Sequence, residues 1–399
     1  MIAPEEALAI IQSRIPLLGD EEVPLARAGG RVLREDCLAD IDLPPFARAT
    51  MDGYALRAAD ASKVPARLRL VGTIAAGTSL DRALSAGEAA KIMTGAPLPA
   101  GADAVQKIEV TRAAGDYVEI DEPVERGQFI TPAGSEAARG QVVINAGTPI
   151  TAAEVAVLAT FGYARVRVGR RPCVAVLATG TELVEVEERP RPAQIRNSNN
   201  YALTAYAERA GAAVTARGRA EDDEALLLEK LRQALRDCEV LILSGGVSMG
   251  DYDLVKGALK KLGAEFFFEK VALRPGKPLV FGRLGETILF GLPGNPVSAA
   301  VTFNLFVRPA LLQMMGATET APTTVRAFLT ERVKPARERR SYLPGQLRLT
   351  EGRAEVRRLR WGGSSDLVGF RPADALIVVP AGTEPLPPGQ LVDVVILER

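Results

Sequence analysis

At 399 residues the chain is too long for one ordinary core and reads as two to four domains. Its 47% hydrophobic and 25% charged residues are those of a globular protein, and 49 Lys plus Arg against 49 Asp plus Glu argue against a general polyanion binder. Histidine is absent, which excludes a Ser-His-Asp triad, an imidazole base and an HExxH zinc site. Cys37, Cys173 and Cys238 stand far apart with no CxxC pair. A structural zinc is therefore excluded, a disulfide framework is not expected, and the thiols read as reduced, buried residues of a cytosolic protein.

Residues 4–18 predict a helix, because Leu8, Ile11, Ile15 and Leu18 form one apolar face and Pro4 suits the first turn. The start, MIAPEEALAI, is acidic and lacks the basic beginning of a signal peptide, so no targeting segment is expected. Residues 23–150 change to short β-branched runs between Gly and Pro: LRLVGTI, AVQKIEV, YVEI and QVVI. Residues 151–161 predict a short helix. From 170 to 313 strands and helices alternate. CVAVLA is a strand, Asn199 caps a helix through Ala210, residues 224–236 form a helix with Leu227, Leu231 and Leu235 on one face, and EVLIL is a strand. Residues 254–262 are helical, FFFEK, PLVFG and TILFG are strands, and a helix starts at Val297. This alternation implies a mostly parallel sheet with helices on both faces. Residues 287–307 carry no charge, but Gly291, Pro293, Gly294, Asn295 and Pro296 interrupt the run, so a strand, a turn and a buried helix are expected rather than a membrane span. The last stretch, 321–399, returns to strands in VRAFL, QLRL, AEVRRL, ALIVV and LVDVVIL. Between 331 and 360 ten Lys or Arg face four Asp or Glu, which reads either as a solvated barrel surface or as an anion-facing rim.

Three Gly-bearing loops each follow a predicted parallel strand: Thr179-Gly180-Thr181-Glu182, Ser244-Gly245-Gly246 and Pro293-Gly294-Asn295-Pro296. Ligands of open α/β sheets bind beyond the carboxyl ends of the strands, so the loops are expected to converge on one ligand. Glu182, Asp251 and Asp253 lie in these loops, Asp222 precedes a predicted helix, and Lys270, Arg274 and Lys277 lie in KVALRPGKP. Loop carboxylates cap helices more often than they hold metals. Together with cations and Gly-rich loops, though, they suggest a phosphate-bearing ligand with Mg²⁺. There is no Walker A and no GxGxxG after the first strand, against a P-loop NTPase or a dinucleotide dehydrogenase.

The strings PPFARATMDGYAL, MTGAPLPAGADAV, LATGTEL, IRNSNNYAL, SGGVSMGDYD, LRPGKPLVFG, GLPGNPVSAAVTF, GGSSDLVGFRPADALIVVP and LPPGQLVDVVIL run from one end of the chain to the other. In them the chain resembles the MoeA family of molybdopterin molybdenumtransferases, which includes the E domain of gephyrin. The resemblance implies α/β plus β architecture in an elongated, multidomain subunit. Its parts would be a discontinuous linker domain, 1–40 with 140–169, whose first helix packs on the α/β domain; a β-rich domain, 41–139; a three-layer, mostly parallel α/β molybdopterin-binding domain, 170–316; and a C-terminal β-barrel-like domain, 321–399. It implies a cytoplasmic homodimer acting in molybdenum cofactor biosynthesis, with the active cleft shared between subunits. Molybdate would enter adenylated molybdopterin with Mg²⁺-dependent release of AMP. Molybdopterin adenylyltransferase and molybdoenzyme maturation proteins are the implied partners, with no nucleic acid and no membrane.

Carried over by motif, Asp52 and Thr94 come from the β-rich domain, Glu182 from the TGTEL loop, Asp253 from the SGG loop, and Lys270, Arg274 and Lys277 from the basic string. With Asp222, for which Asp223 is the alternative, these form the implied catalytic set apart from Lys277, which joins the binding residues. Thr179, Gly180, Ser244, Gly245, Gly246, Pro293, Gly294, Asn295 and Pro296 complete the implied ligand site, and Glu182 and Asp253 are the implied metal ligands. Glu136 stands where the family usually has Asp. The rival readings are a molybdopterin adenylyltransferase, a non-catalytic molybdopterin-binding scaffold and a nucleotide-binding sensor.

Overall fold

A computed structural model describes residues 1–220, 223–246 and 254–397, and the chain divides into two compact units. One unit comprises Asp36–Asn145 and Ala156–Ala164. Its six-stranded sheet runs in the order Ala104–Lys107, Gly53–Leu56, Glu88–Ile92, Ala66–Ile74, Tyr117–Ile120, Thr111–Ala114. Side chains alternate across the sheet, and both faces are buried: Tyr54, Leu56, Leu68 and Val118 pack on one, and Ala55, Ala90, Ile92 and Val105 on the other. Gly53 is required by close approach, since a Cβ there would stand 1.9 Å from the Gln106 carbonyl oxygen on the neighbouring strand. Glu88, buried at the sheet, accepts from Arg82 at 2.7 Å and Arg69 at 2.5 Å, and its carboxyl is lowered to about 2, with the Arg82 hydrogen bond the largest cause.

The other unit comprises Met1–Glu35, Ala146–Val155 and Arg165–Arg399. It opens with α1 (Pro4–Arg14), which buries Ala7 and Ile11 in the core. The helix stops short of the expected residue 18 because Ile15 precedes Pro16, whose ring disfavours helical backbone before it; Ile15 is extended instead. The main sheet contains β1 (Cys173–Thr179), β2 (Ala213–Ala220), β3 (Val240–Ser244), β4 (Glu265–Lys270), β5 (Pro278–Leu284) and β6 (Thr287–Leu292). Their order is β2-β1-β3-β6-β5-β4; β2, β1, β3 and β6 pair in parallel, while the β6–β5 and β5–β4 pairings are antiparallel. The apolar run of β1 is continuous because both faces are covered. Val174 and Val176 face α1, α2 (Ser198–Arg209) and the helix after β6, whereas Ala175 and Leu177 face α3 (Glu224–Ala234) and α4 (Leu254–Lys261).

That last helix, α5, runs through Pro296–Met315 as an α-turn, a π-turn at Phe303–Val307 and a second α-segment. The π-turn leads into Pro309, which has no N–H to join an α-ladder. Among the described residues α5 is the one helix long and apolar enough to cross a membrane, and 83% of its most apolar window is buried in this core. The uncharged run thus resolves into a strand, a turn and a buried helix, as expected. Gly316, at φ +91°, ends the helix.

The C-terminal strands are β7 (Thr324–Leu329), β8 (Arg340–Thr350), β9 (Arg353–Arg358), β10 (Ala375–Val379) and β11 (Leu391–Ile396). They pair in the ring β8-β9-β7-β11-β10-β8, a closed barrel. Closure leaves no unpaired edge among these strands. The interior holds Ala327, Leu329, Val356, Ile377, Val379 and Val394.

Candidate active site

β1, β3 and β6 are neighbours in the sheet, so the loops at their carboxyl ends are neighbours too. The chain leaves β1 for β2 on one side and returns to β3 on the other, which makes a switch point between β1 and β3. There the three predicted loops line one cleft of about 710 Å³, within the range of ligand pockets. Thr179, Gly180, Glu182, Ser244, Gly245, Gly246, Pro293, Gly294, Asn295 and Pro296 all contribute to its wall.

The convergence is built on backbone contact. Gly245 and Gly246 have φ of +86° and +60°, and added Cβ atoms would stand 2.4 Å from the Thr179 carbonyl oxygen and 2.5 Å from Thr179 Oγ1. A Cβ on Gly294 would stand 3.4 Å from the Gly245 Cα. Only glycine permits both this conformation and this approach. Thr179 Oγ1 and Asn197 Nδ2, in the same wall, are buried without hydrogen-bond partners.

Asn199 is not the helix cap expected from sequence. Asn197 caps α2, accepting from Asn200 N–H at 3.3 Å, and Asn199 lies inside the first turn. Its buried Nδ2 donates to Ser244 Oγ at 2.6 Å and to the Gly294 carbonyl at 2.7 Å, clamping two of the three loops together. The Pro293–Pro296 loop is held from the C-terminal region as well. Asn295 Nδ2 donates to Ser364 Oγ at 2.8 Å, and Val297 N–H donates to the Ser364 carbonyl at 3.0 Å. Ser365 and Leu367 then form part of the cleft wall. The site assignments from sequence omitted Asn199, Ser364 and Ser365, although the strings IRNSNNYAL and GGSSDLVGF were the signal for them. In the second string Asp366 accepts from Gly362 N–H at 2.7 Å and Gly369 N–H at 2.9 Å, which holds its carboxyl below the ordinary range.

The basic string divides. Arg274 lines a separate cavity of about 630 Å³ with Arg332, Lys334, Arg358, Ser341, Trp361, Gly362 and Gly363. No carboxylate lines it, no ion pair among the described residues engages its four cations, and Arg358 Nε is buried without a partner. Part of the C-terminal charge excess therefore faces a cavity, whereas Arg340 pairs with Glu5 and Arg353 with Glu355. Lys270 ends β4, Lys277 is exposed and accepts Val271 N–H on its carbonyl, and neither lines the cleft or the basic cavity.

Glu182 is exposed at the cleft, and a Cβ on Gly180 would stand 2.6 Å from Glu182 Oε2, so the carboxylate folds back over its own loop. Among the described residues no group of three or more Cys, Asp or Glu is placed to hold a metal unaided. One carboxylate beside a cleft with room for a phosphate-bearing ligand fits Mg²⁺, which takes few protein ligands and completes its shell from phosphate oxygens and water. Asp222, Asp251 and Asp253 lie outside the described residues. Asp223 caps α3 by accepting from Leu226 N–H at 2.9 Å.

In the Asp36–Asn145 unit, Asp52 and Thr94 meet although 42 residues separate them. Asp52 Oδ1 accepts from Thr94 N–H at 2.7 Å and from Thr94 Oγ1 at 2.8 Å. These bonds, the backbone one first, together with Lys91 nearby, hold the exposed carboxyl below its ordinary range. It is a carboxylate at any physiological pH. Glu136 forms an ion pair with Arg48 at 2.8 Å. Two of the three thiols are held in the protonated form, since burial pushes Cys238 up to about 12 and raises Cys173 as well, and Cys37 is buried.

Comparison with known proteins agrees along the whole chain. The MoeA N-terminal region (domain I and II) matches residues 2–162, a probable molybdopterin binding domain matches 175–313, and the MoeA C-terminal region (domain IV) matches 326–397. The molybdopterin molybdenumtransferase of Staphylococcus aureus (strain MSSA476) is 34% identical over 391 residues, covering 97% of this chain and 93% of the relative. That of Staphylococcus epidermidis (strain ATCC 12228 / FDA PCI 1200) is 33% identical, covering 100% and 96%. The structure of the molybdopterin biosynthesis moeA protein from Pyrococcus horikoshii OT3 superposes with a TM-score of 0.84 at 29% identity, covering 100% of both chains.

Proposed function

The chain belongs to the MoeA family, a transferase family of molybdenum cofactor biosynthesis, and from that premise we propose that it inserts molybdate into adenylated molybdopterin with Mg²⁺-dependent release of AMP. The observation that carries the reading is the convergence of the three Gly-rich loops on one cleft large enough for an adenylated pterin. Breaking a phosphoanhydride demands charge neutralisation and positioning more than a histidine base, which suits a chain without histidine. An oxygen of molybdate or water attacks the anhydride phosphorus and the P–O bond to AMP breaks, its electron pair leaving with AMP. The two dithiolene sulfurs replace one molybdate oxygen, which departs as water with the two thiol protons or, where molybdate is the attacker, stays on phosphorus. Backbone N–H groups of the loops and the Asn199 clamp hold the phosphates in line. Mg²⁺ would be held by Glu182, with Asp253 as the second carboxylate, and would supply neutralisation of phosphate charge. Molybdate, a dianion, is drawn by the cavity of Arg274, Arg332, Lys334 and Arg358, with Lys270 and Lys277 on the same segment as Arg274.

The proposal extends to catalytic roles for Asp52 and Thr94, to the four-domain division 1–40 with 140–169, 41–139, 170–316 and 321–399, and to a cytoplasmic homodimer. The test is AMP release from adenylated molybdopterin by the purified protein, with and without molybdate and Mg²⁺. Release requiring both, with active cofactor formed, is the expected result; tight binding without release would reduce the chain to a scaffold.

A further inference from the structure

We propose that Arg196 is the side chain that grips the phosphate groups of the ligand in the three-loop cleft; the inference rests on the reading of that cleft as the adenylated-pterin site. A phosphoanhydride brings negative charge into a cleft whose wall is mostly backbone, Ser, Thr, Asn and Pro. Among the described residues, two charged side chains line it, Glu182 and Arg196. Glu182 has the wrong sign for direct contact. The two internal stretches outside the described residues, 221–222 and 247–253, contain no Lys or Arg in sequence, so they supply no alternative cation. Arg274 lines the other cavity, and Lys270 and Lys277 line neither.

Arg196 is also placed to act as a fixed fork. It sits on the short strand Ile195–Arg196, paired in parallel with Leu183–Val184. Ile195 N–H donates to the Glu182 carbonyl at 2.8 Å, and Asn197 N–H to the Val184 carbonyl at 2.9 Å, so the main chain is tied on both sides of Arg196. Its Nε donates to the Glu188 carbonyl at 3.1 Å. That bond fixes the plane of the guanidinium, and no ion pair among the described residues occupies the exposed terminal nitrogens. A guanidinium held at Nε, with both Nη groups available, matches two phosphate oxygens. The sequence gives Arg196 no mark of its own: it lies between the Gly-bearing loops, inside the string IRNSNNYAL, which carries the family resemblance and the start of a helix.

The test uses the full-length protein and two probes, AMP and inorganic pyrophosphate, by calorimetry at fixed ionic strength. R196A is expected to weaken pyrophosphate about 10- to 100-fold, the range for hydrogen bonds to charged groups. R196K, which keeps the charge without the fork, falls between. The salt dependence of binding drops in R196A. Thermal unfolding stays unchanged, because the side chain is exposed. Wild-type affinity in R196A, indistinguishable losses in R196A and R196K, or no binding of either probe by the wild type overturns the proposal. If the wild type binds pyrophosphate through Arg196 but releases no AMP from adenylated molybdopterin, the functional reading fails and this one stands. If AMP release by R196A keeps the wild-type KM, this one fails and the functional reading stands.

Discussion

The three-loop cleft and the basic cavity lie in the same unit and are of similar volume, about 710 and 630 Å³, yet they are built by opposite means. The cleft is made of backbone: three glycine loops packed against one another, held by amide hydrogen bonds, with few charges. The basic cavity is made of side chains: four cations around Ser341 and Trp361, with no carboxylate to offset them. Two stretches of chain serve both. Residues 274–278 contribute Arg274 to the cavity and Pro278 to the cleft, and residues 362–367 contribute Gly362 and Gly363 to the cavity and Ser365 and Leu367 to the cleft. The cleft's backbone frame makes it sensitive to shape, and its response to salt rests on the single cation Arg196, whereas the cavity's four cations make it sensitive to salt first. This difference sorts the expected effects of mutation.

The largest effect is expected from G245A. The new Cβ meets a backbone oxygen at 2.4 Å in a left-handed conformation, so both loops must shift. Strain and overpacking together should cost about 2–4 kcal/mol, read as a shift in denaturant midpoint, with AMP release falling below detection. N199A comes next. It leaves Ser244 Oγ and the Gly294 carbonyl without their donor in a buried place, about 1–3 kcal/mol, and kcat should fall more than KM rises. Equal stability of N199A and wild type would show that the loops are held by glycine packing alone.

In the cavity the sign reverses. R332A and R358A should leave stability unchanged or slightly raised, because they relieve repulsion among like charges. They should raise the molybdate concentration needed for half-maximal AMP release about tenfold, and high salt should mimic them. A loss of stability instead would mean that these arginines are structural. The smallest effect concerns the wall between the two sites. The Asp366 carboxyl lies below its ordinary range because Gly362 and Gly369 N–H groups favour the charged form. Its stabilisation is therefore complete above the ordinary carboxylate range and is lost as pH falls through the lowered value. D366N should melt slightly below wild type at pH 7, and the two melting curves should merge in acid.

Much of the cleft is legible in the sequence. A glycine loop after a parallel strand has a local cause, the need for a tight turn with accessible N–H groups, and that cause is written in adjacent residues. The helix over 4–18 was misjudged by one turn because apolar spacing continued past a proline that stopped the backbone. Asn199 was given the capping role that falls to Asn197, since both are good caps and the choice depends on where the preceding strand delivers the chain. The basic string is one run in sequence, but Leu273–Arg274 pairs in parallel with β8, which sets Arg274 beside Ser341 in the barrel-side cavity, while Lys270 and Lys277 line neither site. The pairing of Asp52 with Thr94 depends on Gly53–Leu56 and Glu88–Ile92 being neighbouring strands, which sequence spacing does not specify.

The sequence by itself determined the family, the layered α/β core, the run of C-terminal strands, and the exclusion of histidine chemistry. The family follows from the resemblance carried by the nine strings; the rest follows from composition, from the period of apolar residues, or from turn residues at fixed local offsets. Tertiary structure alone decided that β1, β3 and β6 are adjacent, that Asn199 and Ser364 both hold the loops, and that four cations gather in a cavity apart from the cleft. Those outcomes arise from contacts between residues 40 to 100 positions apart, as in the 95-residue span from Asn199 to Gly294, where buried donors must find acceptors that only the packed fold brings within 3 Å.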